Sequence, residues 1–356
     1  MPRIGFDGRD LLRKRTGVVN NATHLARELT AQHPGEVKIY VDRPLHADEA
    51  PPAGVPLRTV AAPPALWKHI ALPLALVRDR VELFHSPTGT LPIASPCAEV
   101  VTIHDLFAAI QPRWFSLRMG LQLRLTQRRA ARVASAVIAV SAHTKKDLVE
   151  RYNVPSERVR VVYNGVDHAR FQPMEVDAEA IARHYGVPHP FILFVGSLMP
   201  WRNAPRLLRA ASKLNMGVLF VGRDIWGTDP TQRLAAEHGW NWARFVGYAR
   251  DEDLPALYAA ASVFAYPSLY EGFGIPPIEA MACGTPVVAS TAGALPEVLG
   301  DAALLVDPDD ASALAEALEA AASDNGTLRR RGLERAARYS WPKAAAETWQ
   351  VYSSVL

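Results

Sequence analysis

Short apolar runs rich in β-branched residues alternate with helical stretches along almost the whole chain of 356 residues. In the first half, strand-like runs lie at 3–6, 37–41, 83–85, 100–103, 137–140 and 159–162, and helical stretches at 22–32, 117–134 and 145–152. Strands that alternate with helices in this way form a parallel sheet that is covered by helices on both faces. The first half therefore predicts a doubly wound α/β domain.

The second half repeats this alternation. Its strand-like runs lie at 192–195, 217–221, 243–246, 263–265, 286–289 and 303–306, and its helical stretches at 204–214, 253–261, 277–282 and 311–322. A chain of this length is longer than a single hydrophobic core usually supports, and it suits two domains of ordinary size. We expect domains at 1–170 and 191–338, joined by a proline-bearing linker at 171–190. Ligands of such sheets bind at the carboxyl ends of the strands, so we expect the active site in a cleft between the two domains.

The two cysteines, Cys97 and Cys283, are far apart and have no His or Cys neighbours at the spacing of metal ligands. The sequence therefore predicts neither a disulfide framework nor a zinc site, and a reducing compartment fits. The opening residues have no apolar run of the kind that a secretory signal needs, and prolines and charges interrupt the apolar stretch 61–77. We expect a cytoplasmic protein without a membrane-spanning helix, and peripheral association with the inner membrane stays open.

Positive charge is concentrated in the first half of the chain. Residues 1–170 hold 24 Lys and Arg against 15 Asp and Glu, a net charge of +9, whereas residues 171–356 carry a net charge of −6. Between Asp105 and Asp147 lie eight cations, no acid and several large apolar residues. The segment 113–132 fits either an anionic membrane or acceptor surface, or a solvated amphipathic helix whose arginines extend into water. The acidic second half disfavours nucleic acid as a partner.

The segment 266–290, YPSLYEGFGIPPIEAMACGTPVVAS, is the most informative in the chain. Its two consecutive prolines are tolerated only in the first turn of a helix, which places Glu271 in the preceding loop and Glu279 within the opening turns. Gly272 and Gly274 let the backbone come close to a ligand at the positive end of the helix. A carboxylate, a bare backbone and a helix N-terminus together suit sugar hydroxyls beside a phosphate.

This segment resembles the E-x7-E signature of the retaining, nucleotide-sugar-dependent glycosyltransferases of family 4, which have the GT-B fold of two Rossmann-like domains. The resemblance extends over nearly the whole chain and implies that Glu271 binds hydroxyls of the donor sugar together with the backbone N–H groups of Phe273 and Gly274. It implies that Glu279 binds the ribose. It also places His104, in VVTIHDL, at the donor sugar, although a single histidine after a strand is weak evidence by itself. The segment 339–356 resembles the family's final helix, which crosses back to the first domain.

The stretch GSLMPWRNAPRLL, 196–208, departs from the family pattern at the expected diphosphate site. Gly196 is followed by Ser197 where the family often has arginine, and Trp201 stands where the first member of an Arg-Lys pair is usual. One cation is therefore missing. We expect Arg202, helped by Arg206 one turn further on and by a helix N-terminus, to stabilise the leaving diphosphate.

A second departure lies in the loop that usually reads TGIGRY in the family. Here Gly17 is followed by two valines and two asparagines, so Val19 replaces a glycine and Asn20 an arginine. Close approach of the backbone at Gly17 to the reacting centre is therefore in doubt. Both departures keep an inactive relative open as an interpretation.

The residues and the resemblance together predict a metal-independent, retaining hexosyltransferase. The donor is a nucleotide sugar, with GDP-mannose the first guess and a UDP-sugar as the alternative, and the acceptor is a bacterial cell-surface glycan or lipid-linked intermediate. No further cofactor is expected, and no Asp-x-Asp pair at a strand end is present to hold a metal. The second hypothesis is a catalytically silent subunit that binds a nucleotide sugar or a partner enzyme. A dinucleotide-dependent oxidoreductase is disfavoured because no G-x-G-x-x-G follows a strand.

Overall fold

The computed structural model describes residues 3–12, 17–44, 55–224, 227 and 230–356. The chain divides into two compact units. The first comprises the residues up to Gly165 together with Trp341–Leu356, and the second is Val166–Ser340. Helices within the described residues are all too short or too polar to cross a membrane.

The first unit is built on a parallel sheet. Its strands are β1 (Ile4–Asp7), β2 (Val37–Val41), β3 (Leu57–Thr59), β4 (Leu83–Ser86), β5 (Ala98–Ile103), β6 (Ala136–Ala139) and β7 (Val159–Val161). Its helices include α1 (Gly17–Gln32), α2 (Pro64–Leu66), α3 (Leu72–Arg78), α4 (Phe107–Ile110), α5 (Leu117–Val133) and α6 (Ala142–Tyr152). The strands lie in the order β3-β2-β1-β4-β5-β6-β7, so the direction of winding reverses between β1 and β4. Strands β1, β4 and β6 are buried along their whole length, as both faces of a doubly wound sheet require.

Residues 64–78 form two α-helices that a π-helical turn connects without a break in the helical run. Pro64 lies in the first turn of α2, where a missing N–H costs nothing, and Pro73 lies in the first turn of α3. Between the two helices, Trp67–Ala71 forms a π-helical turn, and the indole of Trp67 is fully buried. The prolines that break the apolar pattern therefore mark helix starts.

The second unit is built on its own parallel sheet. Its strands are β8 (Phe191–Val195), β9 (Gly217–Val221), β10 (Ala243–Phe245), β11 (Val263–Tyr266), β12 (Val287–Ser290) and β13 (Leu304–Val306). Its helices include α7 (Ala178–Tyr185), α8 (Ala204–Ala211), α9 (Thr231–Glu237), α10 (Leu254–Ala260), α11 (Ile275–Ala282), α12 (Leu295–Leu299), α13 (Ala311–Ala322) and α14 (Thr327–Ala336). The order β10-β9-β8-β11-β12-β13 reverses between β8 and β11.

The segment 171–190, expected as a linker, belongs to the second unit and contains helix α7. The Asp177 carboxylate caps this helix by accepting a hydrogen bond from the N–H of Ala180, and Gly186 ends it in the left-handed conformation. A capped helix is ordered structure, so the prolines here flank an element instead of marking a linker.

The C-terminal helix, α15 (Trp341–Ser353), lies in the first unit and packs against α1. Two histidine rings of the first unit stack on its tryptophans: His24 on Trp341, with ring centroids 5.0 Å apart, and His33 on Trp349, with centroids 3.4 Å apart. Further along the helix, the hydroxyl of Tyr352 is 2.6 Å from Nδ1 of the buried His85 on β4. The last residues of the chain thus complete the core of the first unit.

Candidate active site

In the second unit, the residues of the expected donor site gather where the winding of the sheet reverses. Arg202 follows β8 at the end of a short 3-10 turn, and Glu271 lies in the loop between β11 and α11. Strands β8 and β11 are hydrogen-bonded neighbours, so the loops at their carboxyl ends emerge side by side. Doubly wound sheets bind ligands at this point of their topology.

The Arg202 guanidinium contacts two other side chains, those of Glu271 and Tyr266. Its Nη1 donates to Oε1 of Glu271 and to the hydroxyl of Tyr266, and the guanidinium also lies over the Tyr266 ring, 4.9 Å from the centroid. The Glu271 side chain is 7% exposed and that of Arg202 is 19% exposed. Nε of Arg202 is buried and has no hydrogen-bond acceptor in the described part of the chain. We call Arg202, Tyr266 and Glu271 the donor cluster.

The backbone around the donor cluster is close-packed. Gly196 follows β8 with a φ of +148°, and its carbonyl would lie 1.9 Å from a Cβ atom at Gly222, so residue 222 must be glycine. Gly196 N–H donates to the carbonyl of Val221 at 2.9 Å, and the half-buried Ser197 comes next. These contacts join the loop after β8 to the loop after β9.

Helix α11 begins without a side-chain cap. Its N-cap is Gly274, with a φ of +89°, and a Cβ atom there would meet the Leu295 side chain at 2.8 Å. Phe273 is buried, and its ring lies edge-on to Tyr339 with centroids 5.5 Å apart. The backbone of Glu271 is held from the other side, because its carbonyl accepts from the N–H of Ala294 at 2.9 Å.

Glu279, one turn into α11, is 7% exposed and accepts a hydrogen bond from the Tyr258 hydroxyl at 3.0 Å. Burial, and then the nearby Glu279 carboxylate, raise the pKa of Tyr258 well above its usual value. The same two causes raise the pKa of the Cys283 thiol to about 12. Tyr258 therefore stays protonated and orients the Glu279 carboxylate.

Arg206 and Trp201 lie close in sequence to Arg202 but make other contacts. Arg206 donates to the backbone carbonyl of Asp309 and, from Nη2 at 3.0 Å, to its carboxylate. Its guanidinium is thus paired with Asp309, outside the donor cluster. The backbone carbonyl of Trp201 accepts from the N–H of Leu269 at 2.7 Å, which joins the loops after β8 and β11.

In the first unit, His104 directly follows β5. Its Nε2 is 2.8 Å from the carbonyl oxygen of Pro87, an atom that can only accept, so Nε2 carries the proton. Burial lowers the pKa of His104 to about 4, and the hydrogen bond to Pro87 offsets only part of that effect. The imidazole is therefore neutral near pH 7, with Nδ1 as its acceptor atom.

Gly17 is the first residue of α1 and is exposed, and its preceding residue lies outside the described part of the chain. A Cβ atom at Gly17 would meet nothing within 4 Å. Val19, which replaces a glycine of the family loop, is buried on the inner face of α1. At this departure from the family pattern, Val19 therefore belongs to the apolar face of α1.

Sequence reasoning did not find Tyr266, Tyr258 or Gly222, although each contacts a residue that it did find. The sequence could have indicated both tyrosines, because each lies in an apolar stretch that is predicted to be buried. Tyr266 ends β11, and Tyr258 lies in α10, just before that strand. Buried tyrosine hydroxyls usually need a polar partner.

Comparison with known proteins bears on the family and the fold of the chain. The model of the family described as Glycosyltransferase Family 4 matches residues 15–170, and that of the family described as Glycosyl transferases group 1 matches residues 180–339. The O-antigen chain mannosyltransferase B of Escherichia coli is 30% identical over 282 residues, which cover 76% of this chain and 74% of that protein. The chain belongs to the family 4 glycosyltransferases.

Another relative, and two solved structures of other proteins that resemble this glycosyltransferase, extend the comparison. The MMP alpha-(1->4)-mannosyltransferase of Mycolicibacterium hassiacum is 36% identical over 65% of this chain and 56% of its own length. Sucrose-phosphate synthase from Thermosynechococcus elongatus superposes with a TM-score of 0.79 at 23% identity, covering 100% of this chain and 99% of its own. The HepE protein of Anabaena, solved in complex with UDP-glucose, has a TM-score of 0.76 at 22% identity, with 99% of each chain covered. These structures confirm the expected fold, two Rossmann-like α/β domains of the GT-B type.

Proposed function

We propose that this glycosyltransferase moves mannose from GDP-mannose to a bacterial cell-surface glycan or lipid-linked acceptor, with retention of the anomeric configuration. The observation that carries the donor side is the donor cluster, in which a buried carboxylate pairs with a half-buried guanidinium at the switch point of the second sheet. The choice of mannose is supported by the relatives from E. coli and M. hassiacum, both of which are named mannosyltransferases. A UDP-sugar is the alternative donor.

Each residue of the proposed donor site has a chemical task. Glu271 accepts hydrogen bonds from hydroxyls of the donor sugar. The backbone N–H groups of Phe273 and Gly274 donate hydrogen bonds to the same sugar. Arg202 binds the diphosphate through guanidinium N–H groups, which suit phosphate oxygens. Glu279, held by Tyr258, accepts from the ribose hydroxyls. Gly17, Gly196 and Ser197 supply backbone near the donor, and Arg206 adds positive charge at longer range.

The reaction breaks the bond between the sugar's anomeric carbon and the diphosphate, and the electron pair leaves with the phosphate oxygen. Arg202 stabilises that developing negative charge. The acceptor hydroxyl forms its new bond on the face that the diphosphate leaves, and its proton passes to the departing phosphate oxygen, so retention needs no protein nucleophile. The neutral His104 accepts a hydrogen bond from a donor-sugar hydroxyl at Nδ1.

We further propose that helix α5 contacts an anionic membrane surface. Leu117 is 89% exposed, and Leu121 and Leu125 are exposed on the same helix among exposed arginines. Beside them, Arg124, Arg128 and Arg151 line a groove of about 290 Å³ that has no acidic residue among its lining. Apolar side chains interleaved with arginines suit the boundary between lipid headgroups and acyl chains.

The donor assignment is tested by turnover with a panel of nucleotide sugars that includes GDP-mannose and UDP-glucose, read as release of the nucleoside diphosphate. Glu271→Gln keeps the shape of the side chain but removes its charge, and should reduce the rate by about 10² or more while the protein still folds. Glu316→Gln, an exposed carboxylate on α13, is the matched control and should leave the rate unchanged. Parental turnover by Glu271→Gln would contradict the assignment.

Two further arms of this experiment separate the alternatives. Activity should persist in excess EDTA, and a rate that collapses and is restored by Mg²⁺ or Mn²⁺ would contradict metal-independent transfer. If no donor turns over while a nucleotide still binds, the silent subunit becomes the better interpretation.

A further inference from the structure

A half-buried lysine lies at the switch point of the first sheet. Lys68 is in the π-helical turn between α2 and α3, and its Nζ donates to the hydroxyl of Thr90. Thr90 lies in the loop that follows β4, and β4 is the neighbour of β1 across the reversal of winding. Single π-helical turns within helices are rare and are frequent at functional sites. The ammonium group thus stands at the sheet edge where doubly wound sheets bind ligands.

In the described part of the chain, carboxylates act on the Lys68 ammonium group only from beyond ion-pair distance. In the described residues none lies within ion-pair distance of its Nζ, and the buried Asp7 is occupied by Arg9, which donates to both carboxylate oxygens at 3.0 and 2.7 Å. Burial is the largest cause that lowers the pKa of Lys68 to about 8, while the charges of Asp7, Arg9, Asp10 and Arg129 act in opposing directions. An anion beside Lys68 would offset the cost of burying this ammonium group.

Hydroxyl groups continue from Lys68 along the loop after β4. Oγ1 of Thr90 is 3.4 Å from that of Thr88, which is 3.3 Å from Oγ of Ser86. The carbonyl of Pro87, in the same loop, is the partner of His104. One loop therefore joins the lysine to the histidine that is proposed to act at the donor sugar.

We propose that Lys68, Thr88 and Thr90 bind a phosphate group of the acceptor. An ammonium group and two hydroxyls can donate to separate oxygens of one tetrahedral phosphate. Three exposed apolar side chains lie near Lys68: Leu66 and Ile70 in sequence, and Ile93, whose N–H donates a hydrogen bond to the neighbouring His69. The phosphate can therefore belong to a lipid or to a small soluble sugar. The proposal rests on the proposed function, since it names the chemistry of the acceptor.

The test measures protection of Lys68 from limited acetylation by acetic anhydride at pH 8, followed by mass spectrometry of peptides from the whole protein. Three probes are used: inorganic phosphate, glycerol 3-phosphate, and phosphatidic acid dispersed in neutral detergent, with detergent alone as the blank. Lys145 is the internal reference, because it is also half-buried and its Nζ donates to a carbonyl, that of Val159, at 2.9 Å. We expect several-fold slower acetylation of Lys68 with at least one probe and no change at Lys145. Protection by glycerol 3-phosphate indicates a soluble acceptor, and protection only by phosphatidic acid a lipid-linked one.

A substitution supplies the second measurement. Lys68→Gln should weaken binding of the protecting probe by roughly tenfold or more, the loss expected for a hydrogen bond to a charged group, and Lys68→Arg should retain part of it. Lys145→Gln is the control and should bind as the parent does. Because these assays need no donor, a failure of glycosyl transfer leaves them interpretable. Equal acetylation of Lys68 with and without every probe overturns the proposal, whatever the variants do.

Discussion

Arg202 is the residue on which the donor cluster depends. Its guanidinium is hydrogen-bonded to a carboxylate and a phenol that are both nearly inaccessible to solvent. Removing one member of a buried ion pair leaves the other charge without compensation, which costs more than the pair contributes in place. Substitution of Arg202 is therefore expected to affect both ligand binding and folding.

We predict that Arg202→Ala weakens binding of GDP or UDP by about 1.5–3 kcal/mol, the range for hydrogen bonds to charged groups. It should also lower the midpoint of thermal unfolding, because Glu271 is left buried and unpaired. The control is Arg209→Ala, at an exposed arginine of α8 that has no part in the proposed donor site, so both nucleotide affinity and stability should stay close to the parent's. Isothermal titration and thermal unfolding give the two readouts.

Unchanged nucleotide affinity in Arg202→Ala, with no turnover by the parent on any donor, would favour the silent subunit. Trp201→Arg restores the cation that is usual in the family. It should tighten diphosphate binding if this side chain faces the ligand.

At the residue scale, the sequence pattern predicted the two glutamates but not which side chains pair with them. The spacing of Glu271 and Glu279 around a proline-started helix is visible in one segment of sequence. Tyr258, the partner of Glu279, comes from α10, and Asp309, the partner of Arg206, follows β13. These pairings depend on which strands and helices become neighbours, and that information is not local in the sequence.

The predicted bounds of helix α5, 117–134, agree to within one residue with the structure, Leu117–Val133. Ser116 accounts for its start, since its hydroxyl accepts from the N–H of Met119. By contrast, the helical run at 64–78 was read only as an interrupted apolar stretch, because prolines both break and begin helices. The sequence pattern alone does not show whether a given proline ends a helix or begins one.

We predict that α5 binds bilayers containing anionic lipid and that Arg118→Gln, Arg124→Gln and Arg128→Gln combined weaken this binding. Each cation near the surface contributes roughly 1 kcal/mol at low salt, so the three together should lower the binding constant by about 10². The control removes the same charge from exposed arginines of the second unit: Arg209, Arg233 and Arg330, each changed to Gln. Co-sedimentation with phosphatidylglycerol vesicles at low and high salt measures the effect.

Absence of vesicle binding by the parent at low salt would leave α5 as a solvated amphipathic helix. Equal losses in the two triple variants would show that net charge, and not this helix, attracts the protein to the vesicles.

At the scale of the whole molecule, the fold class followed from the alternation of strands and helices, and both sheets are parallel throughout their named strands. The order of strands within each sheet did not follow, because alternation is compatible with several windings. The fold of α15 into the first unit likewise depends on contacts between residues more than 260 positions apart, such as His85 and Tyr352. The packing of the C-terminal helix on the first unit was expected from the resemblance to the family, because the local sequence pattern contains no information about such distant contacts.

Two histidines of the first unit, His85 and His104, make the protein sensitive to acid. His85 lies between Tyr352 and Thr102, and burial lowers its pKa to about 3, just as it lowers that of His104 to about 4. Unfolded chains protonate histidine near pH 6.5, so below that pH the unfolded state binds protons that the folded state does not. The free energy of unfolding should therefore fall as pH falls from about 6.5 towards about 4, by as much as 1.36 kcal/mol per pH unit for each histidine.

We predict that His85→Gln shows a shallower loss of stability between pH 6.5 and 4.5 than the parent, because glutamine takes up no proton on unfolding. Its stability at pH 7 can be lower, since packing around Tyr352 changes, so the test is the slope against pH and not the value at one pH. Urea unfolding followed by circular dichroism at several pH values measures that slope. His238→Gln, at an exposed histidine of the second unit, is the control and should keep the parental slope. Identical slopes in the parent and His85→Gln would show that protonation of His85 does not accompany acid unfolding, and hence that its imidazole is not held neutral between β4 and the C-terminal helix.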